Sequence, residues 1–342
     1  TTEIYTLSLH DALPILFNLT DTGIGNFLKE MGSYNSFEDE MIVWGLDYRL
    51  QSAKIGPDER KLFGMQIAPY LSIKPFSWLW LQGSYNIVEP LYEAQKSFTV
   101  SVSIKPSFEY PELRFGFIKP SLGNLFDDHT LFIRQVTDEY FAYQVLPPDY
   151  AELGAELSYD YFKWLNVTAG IFKSESMNVI ALPDENFANV NIVGKNELFK
   201  LIRVALMPRF FENYLNTHFG GAYYFADDYS ISDLFFHLGL TDDISFIAEY
   251  VMTNKKGMRE SGNFLMEGMY QFMPSLMGYI RYETAHTKEL SQKAEFNAVR
   301  YTIGLNVFLL PFIEFRPEYR ILERNNGKVS LSDWAAQLHV YY

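Results

Sequence analysis

From Met41 onward, apolar and polar residues alternate along the chain. Trp44, Leu46, Tyr48 and Leu50 fall on one face, and Gly45, Asp47, Arg49 and Gln51 on the other. Phe63, Met65, Ile67, Pro69 and Leu71 then oppose Gly64, Gln66, Ala68, Tyr70 and Ser72. Phe98, Val100, Val102 and Ile104 oppose Thr99, Ser101, Ser103 and Lys105. Leu153, Ala155, Leu157 and Tyr159 oppose Glu152, Gly154, Glu156 and Ser158. Near the end, Ile313, Phe315, Pro317, Tyr319 and Ile321 oppose Glu314, Arg316, Glu318 and Arg320. A period of two is that of a β-strand, whose successive side chains point to opposite faces. About sixteen such segments can be drawn, and many reach about 10 to 13 residues. Ordinary strands average about 5 to 6 residues, whereas a strand crossing a bilayer needs about 9 to 11. Residues Leu16 to Glu40 show no clean period and read as an N-terminal extension or the remnant of a truncated strand.

The connections fall into two kinds. Very short ones are expected near Lys74-Pro75, Tyr110-Pro111, Phe162-Lys163, Phe211-Glu212, Asp242-Asp243, Met273-Pro274 and Leu310-Pro311. Longer polar ones are expected near 54–59, 89–95, 122–148, 176–196, 226–230, 255–261, 287–294 and 324–329. Aromatic residues flank the short turns, among them Trp78, Trp80, Tyr110, Phe162, Trp164, Phe272 and Phe312. The expected fold is all-β: an antiparallel up-and-down β-barrel that spans a membrane, with a girdle of rings at one interface.

Composition narrows the class further. With 342 residues, the chain is long enough for one large barrel. Its aromatic fraction of 17% suits rings placed at two membrane interfaces. No apolar run approaches the roughly 20 residues of a membrane helix. A membrane-spanning reading therefore requires a closed barrel, because only helices and barrels satisfy the backbone in lipid. The absence of Cys excludes disulfides, thiolate metal sites and c-type haem attachment within these residues. A net charge of −14 argues against nucleic acid as a partner. Thr1 to Ile15 looks like a translated sequencing adaptor of the kind that recurs in assembled environmental sequence, and it is set aside as a non-native peptide. The natural start of the chain, with any signal peptide, is then expected to be missing, and residues 41–342 are read as the barrel.

The last thirteen residues, Ser330 to Tyr342, place Trp334, Ala336, Leu338, Val340 and Tyr342 on one face, and the chain ends on an aromatic residue. This segment resembles the closing strand of bacterial outer-membrane β-barrels, which in that family is read by the insertion machinery. The resemblance implies a location in a Gram-negative outer membrane, with the short turns and the C-terminus on the periplasmic side. A barrel of about sixteen strands leaves an aqueous channel inside. The long third external loop, 122–148, resembles that of the sixteen-stranded general diffusion porins, where this loop folds into the barrel and narrows it. That resemblance is architectural and covers residues 41–342. It implies a passive channel for small hydrophilic solutes or ions, with outer-membrane lipid around it, and it is compatible with a homo-oligomer.

Candidates for the constriction follow from charge. The loop holds Asp127, Asp128, His129, Arg134, Asp138 and Glu139. Wall cations facing it would include Arg49, Lys105, Arg114, Arg203, Arg281, Arg300, Arg316 and Arg320. Acids facing wall arginines would set up a transverse field. Glu314, Arg316, Glu318 and Arg320 place four charges at consecutive inward positions. They read either as pore lining or as a buried ion network that stiffens the wall. The loop acids read either as constriction or as solvated surface. No ligand-spacing motif supports a metal or cofactor, and Asp127-Asp128-His129 and Asp227-Asp228 are weak as Ca²⁺ ligands. No Gly-x-Ser-x-Gly is present, and an enzyme is not expected. A barrel sheathing a periplasmic protein is the competing function, and an open ohmic pore distinguishes the two.

Overall fold

The computed structural model describes residues 41–54, 60–88, 98–124, 131, 150–177, 197–210, 215–240, 243–290, 294–310, 312–324 and 329–341. The strands are β1 (Ile42–Lys54), β2 (Arg60–Phe76), β3 (Leu79–Tyr85), β4 (Phe98–Ile104), β5 (Glu112–Ile118), β6 (Glu152–Tyr159), β7 (Leu165–Phe172), β8 (Phe199–Leu206) and β9 (Arg209–Phe210). They continue as β10 (Leu215–Phe225), β11 (Tyr229–Leu240), β12 (Ile244–Lys255), β13 (Arg259–Met273), β14 (Leu276–Glu289), β15 (Ala294–Leu310), β16 (Ile313–Arg324) and β17 (Val329–Tyr341). The two-residue β9 extends β8 along the same partner, β10, so the ring has sixteen strands. Successive strands pair antiparallel, and β17 pairs with β1 from Asp47↔Tyr341 to Ser52↔Ala336. That last ladder closes the sheet and leaves no edge, the condition for a strand-built structure to stand in lipid.

The alternation sorts the two faces. Trp44, Leu71, Leu81, Val100, Leu157, Ile202, Ile280, Ile303 and Trp334 lie on the outer face, all exposed. Their neighbours in sequence point inward, and most are polar or small, with Leu201 and Trp80 among the exceptions. An exposed apolar belt of this extent, carried on nearly every strand, is the lipid-facing surface of a membrane barrel. Exposed rings crowd the short-turn end: Phe108 lies 5.6 Å from Tyr161, Tyr161 lies 5.3 Å from Phe162, and Phe162 lies 5.8 Å from Trp164.

Three connections differ from the sequence reading. Lys74-Pro75 is not a turn. β2 runs on to Phe76, which pairs with Leu79, and the turn falls at residues 77–78. Proline has no N–H to give a ladder, and the register shift between Ile73 and Phe76 absorbs it. The expected loops at 226–230 and 255–261 are tight turns of three residues, 226–228 and 256–258. Pairing continues outward to Tyr229↔Lys255 and Lys255↔Arg259. Gly257, at φ +72°, supplies the left-handed residue that the second turn needs.

Candidate functional site: the lumen and the root of its inward loop

The chain leaving β5 turns into the barrel. Arg114 Nη2 donates to the Lys119 carbonyl at 3.1 Å and to Ser121 Oγ at 3.1 Å, and it is ion-paired with Glu156 on β6. Ser121 N–H donates to Glu156 Oε1 at 2.7 Å, and Ser121 Oγ–H to Glu156 Oε2 at 2.9 Å. One buried carboxylate thus fixes both the wall arginine and the first turn of the loop. Three residues on, Asn124 meets the wall further round the ring. Its N–H donates to Glu249 Oε1 on β12 at 3.2 Å, and its side-chain amide lies 3.1 Å from His237 Nε2 on β11. Arg203 on β8 donates to Asn124 Oδ1 at 3.4 Å and to Asn166 Oδ1 at 3.1 Å, with its guanidinium over the Phe235 ring.

Apolar packing holds the same segment. Leu122, Leu131 and Tyr150 are buried with Ile118, Met177, Phe172, Phe199, Leu201, Tyr224, Ile231, Val251 and Leu265. The wall members of this set face inward. Between β5 and β13 the lumen therefore contains a dry core, with loop on one side and wall on the other. The Phe199 and Tyr224 rings stack at 4.5 Å, and the Tyr150 and Tyr224 hydroxyls meet at 2.9 Å. Burial, then the nearby Glu152 carboxylate, pushes the Tyr150 phenol well above its ordinary range, so it stays neutral and can donate.

The opposite wall is charged and internally paired. Arg300 on β15 forks onto Glu283 on β14 at 2.6 and 2.8 Å. Arg281 donates to Glu267 at 2.6 Å, and its other side stands 3.8 Å from Glu318. Arg320 Nε donates to Glu318 Oε2 at 2.6 Å, and Arg316 to Glu314 Oε1 at 3.2 Å. His339 on β17 stands between Glu314 and Asp47, at 3.4 and 3.1 Å, and so bridges the strands that close the ring. Arg49 pairs with Asp47 at 3.0 Å. Of the eight wall cations read from the sequence, seven carry a carboxylate partner on the wall or its rim, including Lys105 with Asp160 at 2.8 Å. The eighth, Arg203, is held by amides. A cation withdrawn from water is costly unless paired, and for the six arginines of this set register placed the acid on the same strand or the next one.

Of the candidate constriction residues, Arg300, Glu314, Arg316, Glu318 and Arg320 are thus brought together as one ladder. Glu283 and Glu318 within it are at most 3% exposed in their side chains, while Arg316 keeps 23%. Arg114 lies apart, at the loop root. Asp127, Asp128, His129, Arg134, Asp138 and Glu139 lie outside the described residues. Alternation could identify Glu156, His237 and Glu249 as inward, but nothing local marks them as anchors, and Ser121 and Asn124 carry no signal in sequence at all.

A closed sixteen-strand barrel with an apolar outside, a largely polar inside and a loop root folded into the lumen is the fold of the outer-membrane porins. Solved structures of that class share the fold. The chain is similar to the outer membrane channel DcaP of Acinetobacter baumannii (TM-score 0.56, 10% identity, 88% of this chain and 96% of that chain). It is similar also to an anion-selective porin from Comamonas acidovorans (TM-score 0.57, 11% identity, 88% and 98%) and to the trimer form of the outer membrane protein OmpT of Vibrio cholerae (TM-score 0.56, 12% identity, 88% and 99%). No family model and no curated protein sequence matches the chain.

Proposed function

We propose that this protein is a passive, non-catalytic channel for small hydrophilic solutes and ions across the bacterial outer membrane. One observation carries this reading: Asn124 bonds to Glu249, 125 positions away in sequence, so the loop root lies inside the lumen against the arc of wall from β8 to β12. That packing narrows the barrel from one side. Dry packing there, and charged and polar side chains elsewhere on the interior, divide the lumen into a filled half and a polar half. The acidic excess of the chain favours cations over anions at the mouth. Asp227 and Asp228 contribute to it, exposed in the turn between β10 and β11. The trimer form known for the Vibrio cholerae protein supports an oligomer here as well.

The test is single-channel recording in planar bilayers. The channel reading requires ohmic steps from the purified protein. Deleting residues within Asp127 to Tyr143 should raise the step size, because it removes the middle of a loop whose root lies inside. A folded barrel that passes no current would leave the sheath reading in its place.

A further inference from the structure

Strands β2, β3 and β4 form a sector of the inner wall unlike the rest. The register aligns its inward residues in three rows. Tyr70, Ser84 and Thr99 make the row nearest the loops. Ser72, Gln82 and Ser101 make the middle row. Trp80 and Ser103 make the row nearest the turns, bounded on one side by Arg114 and on the other by Lys74, whose ammonium lies 5.3 Å from the Trp80 ring centroid. None of the eight residues in these rows is charged. The outward residues between them, Leu71, Leu81 and Val100, are exposed and apolar, so the polar set faces the lumen.

Two features make this sector available to a solute. Eight strands round the ring from β3 stands β12, which carries Glu249, the acceptor for the loop root. The root of the loop is therefore fastened to the wall opposite, and the dry core that the described residues form between β5 and β13 stops short of these strands. Gln82 is exposed, and Tyr70, Ser72, Trp80, Ser84 and Thr99 are half-buried, while Ser101 and Ser103 are buried, as are Glu283 and Glu318 of the charged ladder.

We propose that this sector is a binding strip for uncharged polyhydroxylated solutes of the oligosaccharide type. It rests on the channel reading above and names the solute class. The amide of Gln82 offers a donor and an acceptor side by side, matching vicinal hydroxyls. The Ser72 hydroxyl serves as either partner, and the Ser84 and Thr99 hydroxyls, bonded to each other at 2.7 Å, keep acceptor lone pairs for a solute hydroxyl. The Trp80 and Tyr70 rings present flat apolar faces with a polar tip, as the C–H face of a pyranose requires. Strand and residue spacing make the patch roughly 10 Å wide and about 13 Å long, room for about two sugar rings. A charged solute finds no carboxylate within the strip, and the acids of the ladder are already bonded to arginines.

The experiment adds maltotriose to one side of a bilayer holding the open channel, in about 1 M KCl so that mouth charge is screened to about 3 Å. The expected result is current interruptions whose frequency rises and then saturates with sugar. The double variant Trp80→Ala/Gln82→Ala should raise the half-saturating concentration at least about tenfold, the loss of a ring contact and one or two hydrogen bonds. Trp80→Phe, which keeps a ring, should restore most of the affinity when Gln82 is retained. Gln82 is exposed, so Gln82→Ala alone serves where the double variant does not fold, with a smaller shift in the same direction. An open channel that maltotriose never interrupts overturns the inference while leaving the channel standing. So does an unchanged half-saturation in the variants. Absence of any KCl current from the parent overturns the channel reading, and this inference with it.

Discussion

Tyr279 on β14 donates its hydroxyl proton to Glu318 on β16, reaching over the strand that lies between them. The residue it crosses is Gly304, which pairs with Tyr279 on one side and with Glu318 on the other. A Cβ at position 304 would run into the Tyr279 ring. The missing side chain is what lets the ring lie flat on the wall and the hydroxyl meet the carboxylate that also takes Arg320 and faces Arg281. Phe172 lies in the same manner against Gly154, its partner on β6, where a Cβ would run into the ring. Glycine opposite a ring is a known way for a sheet to recover packing at a residue without a side chain.

Gly304→Ala is therefore expected to destabilise the barrel by about 1–3 kcal/mol, the range for overpacking an ordered site. The measurement is the urea midpoint of the folded protein in detergent. Gly304→Ala/Tyr279→Ala should recover part of the loss, since the clash is gone although the hydrogen bond is lost with it. An alanine at 304 that leaves the midpoint where it was would show that the ring has somewhere else to go.

The Arg300–Glu283 fork is buried on both sides, at 6% and 0% side-chain exposure. Removing only the cation, as in Arg300→Met, leaves a carboxylate in low dielectric and should cost about 3–5 kcal/mol. Arg300→Met/Glu283→Leu should cost much less, because no charge remains to be compensated. Equal losses in the single and double variants would mean that the pair is not the dominant interaction at either residue.

Folded protein extracted in detergent should give a β-dominated circular dichroism spectrum and an unboiled gel band that runs ahead of the boiled one. Both follow from a closed ladder that resists detergent until heated. A helical spectrum would contradict the fold outright.

Ion preference is read from the zero-current potential across a KCl gradient. With an acidic mouth, cations should pass in preference to anions, and the preference should fade as salt rises and the screening length falls from about 10 Å at 0.1 M to about 3 Å at 1 M. Asp127→Asn/Asp128→Asn should move the potential toward neutrality. Because seven of the eight wall cations carry a carboxylate partner, they offer little net positive field to oppose this. An anion-preferring parent would refute the acidic-mouth account, and an unmoved potential in the variant would clear those two residues.

The period of two from Met41 to the end determined the class of fold, because alternation is a local property: each residue's face follows from its neighbour's. Strand number and the short turn at Met273-Pro274 came from the same reading, since an interrupted period marks an end wherever it falls. Local signals misled where pairing overrode them. Pro75 looked like a turn and is instead carried past by a register shift, and the polar residues at 226–230 and 255–261 partly belong to strands that pair out to the tip. Which inward residues meet was left to the tertiary structure. Whether Arg300 reaches Glu283, whether Tyr279 finds a glycine beside it, and which serines line up with Gln82 all depend on the registers of different strands, and no period within one strand contains them. The loop shows the limit most plainly. Asn124 is an ordinary polar loop residue in sequence, and it becomes an anchor only because ring closure carries Glu249, His237 and Arg203 from three separate strands to the point where the loop enters the lumen.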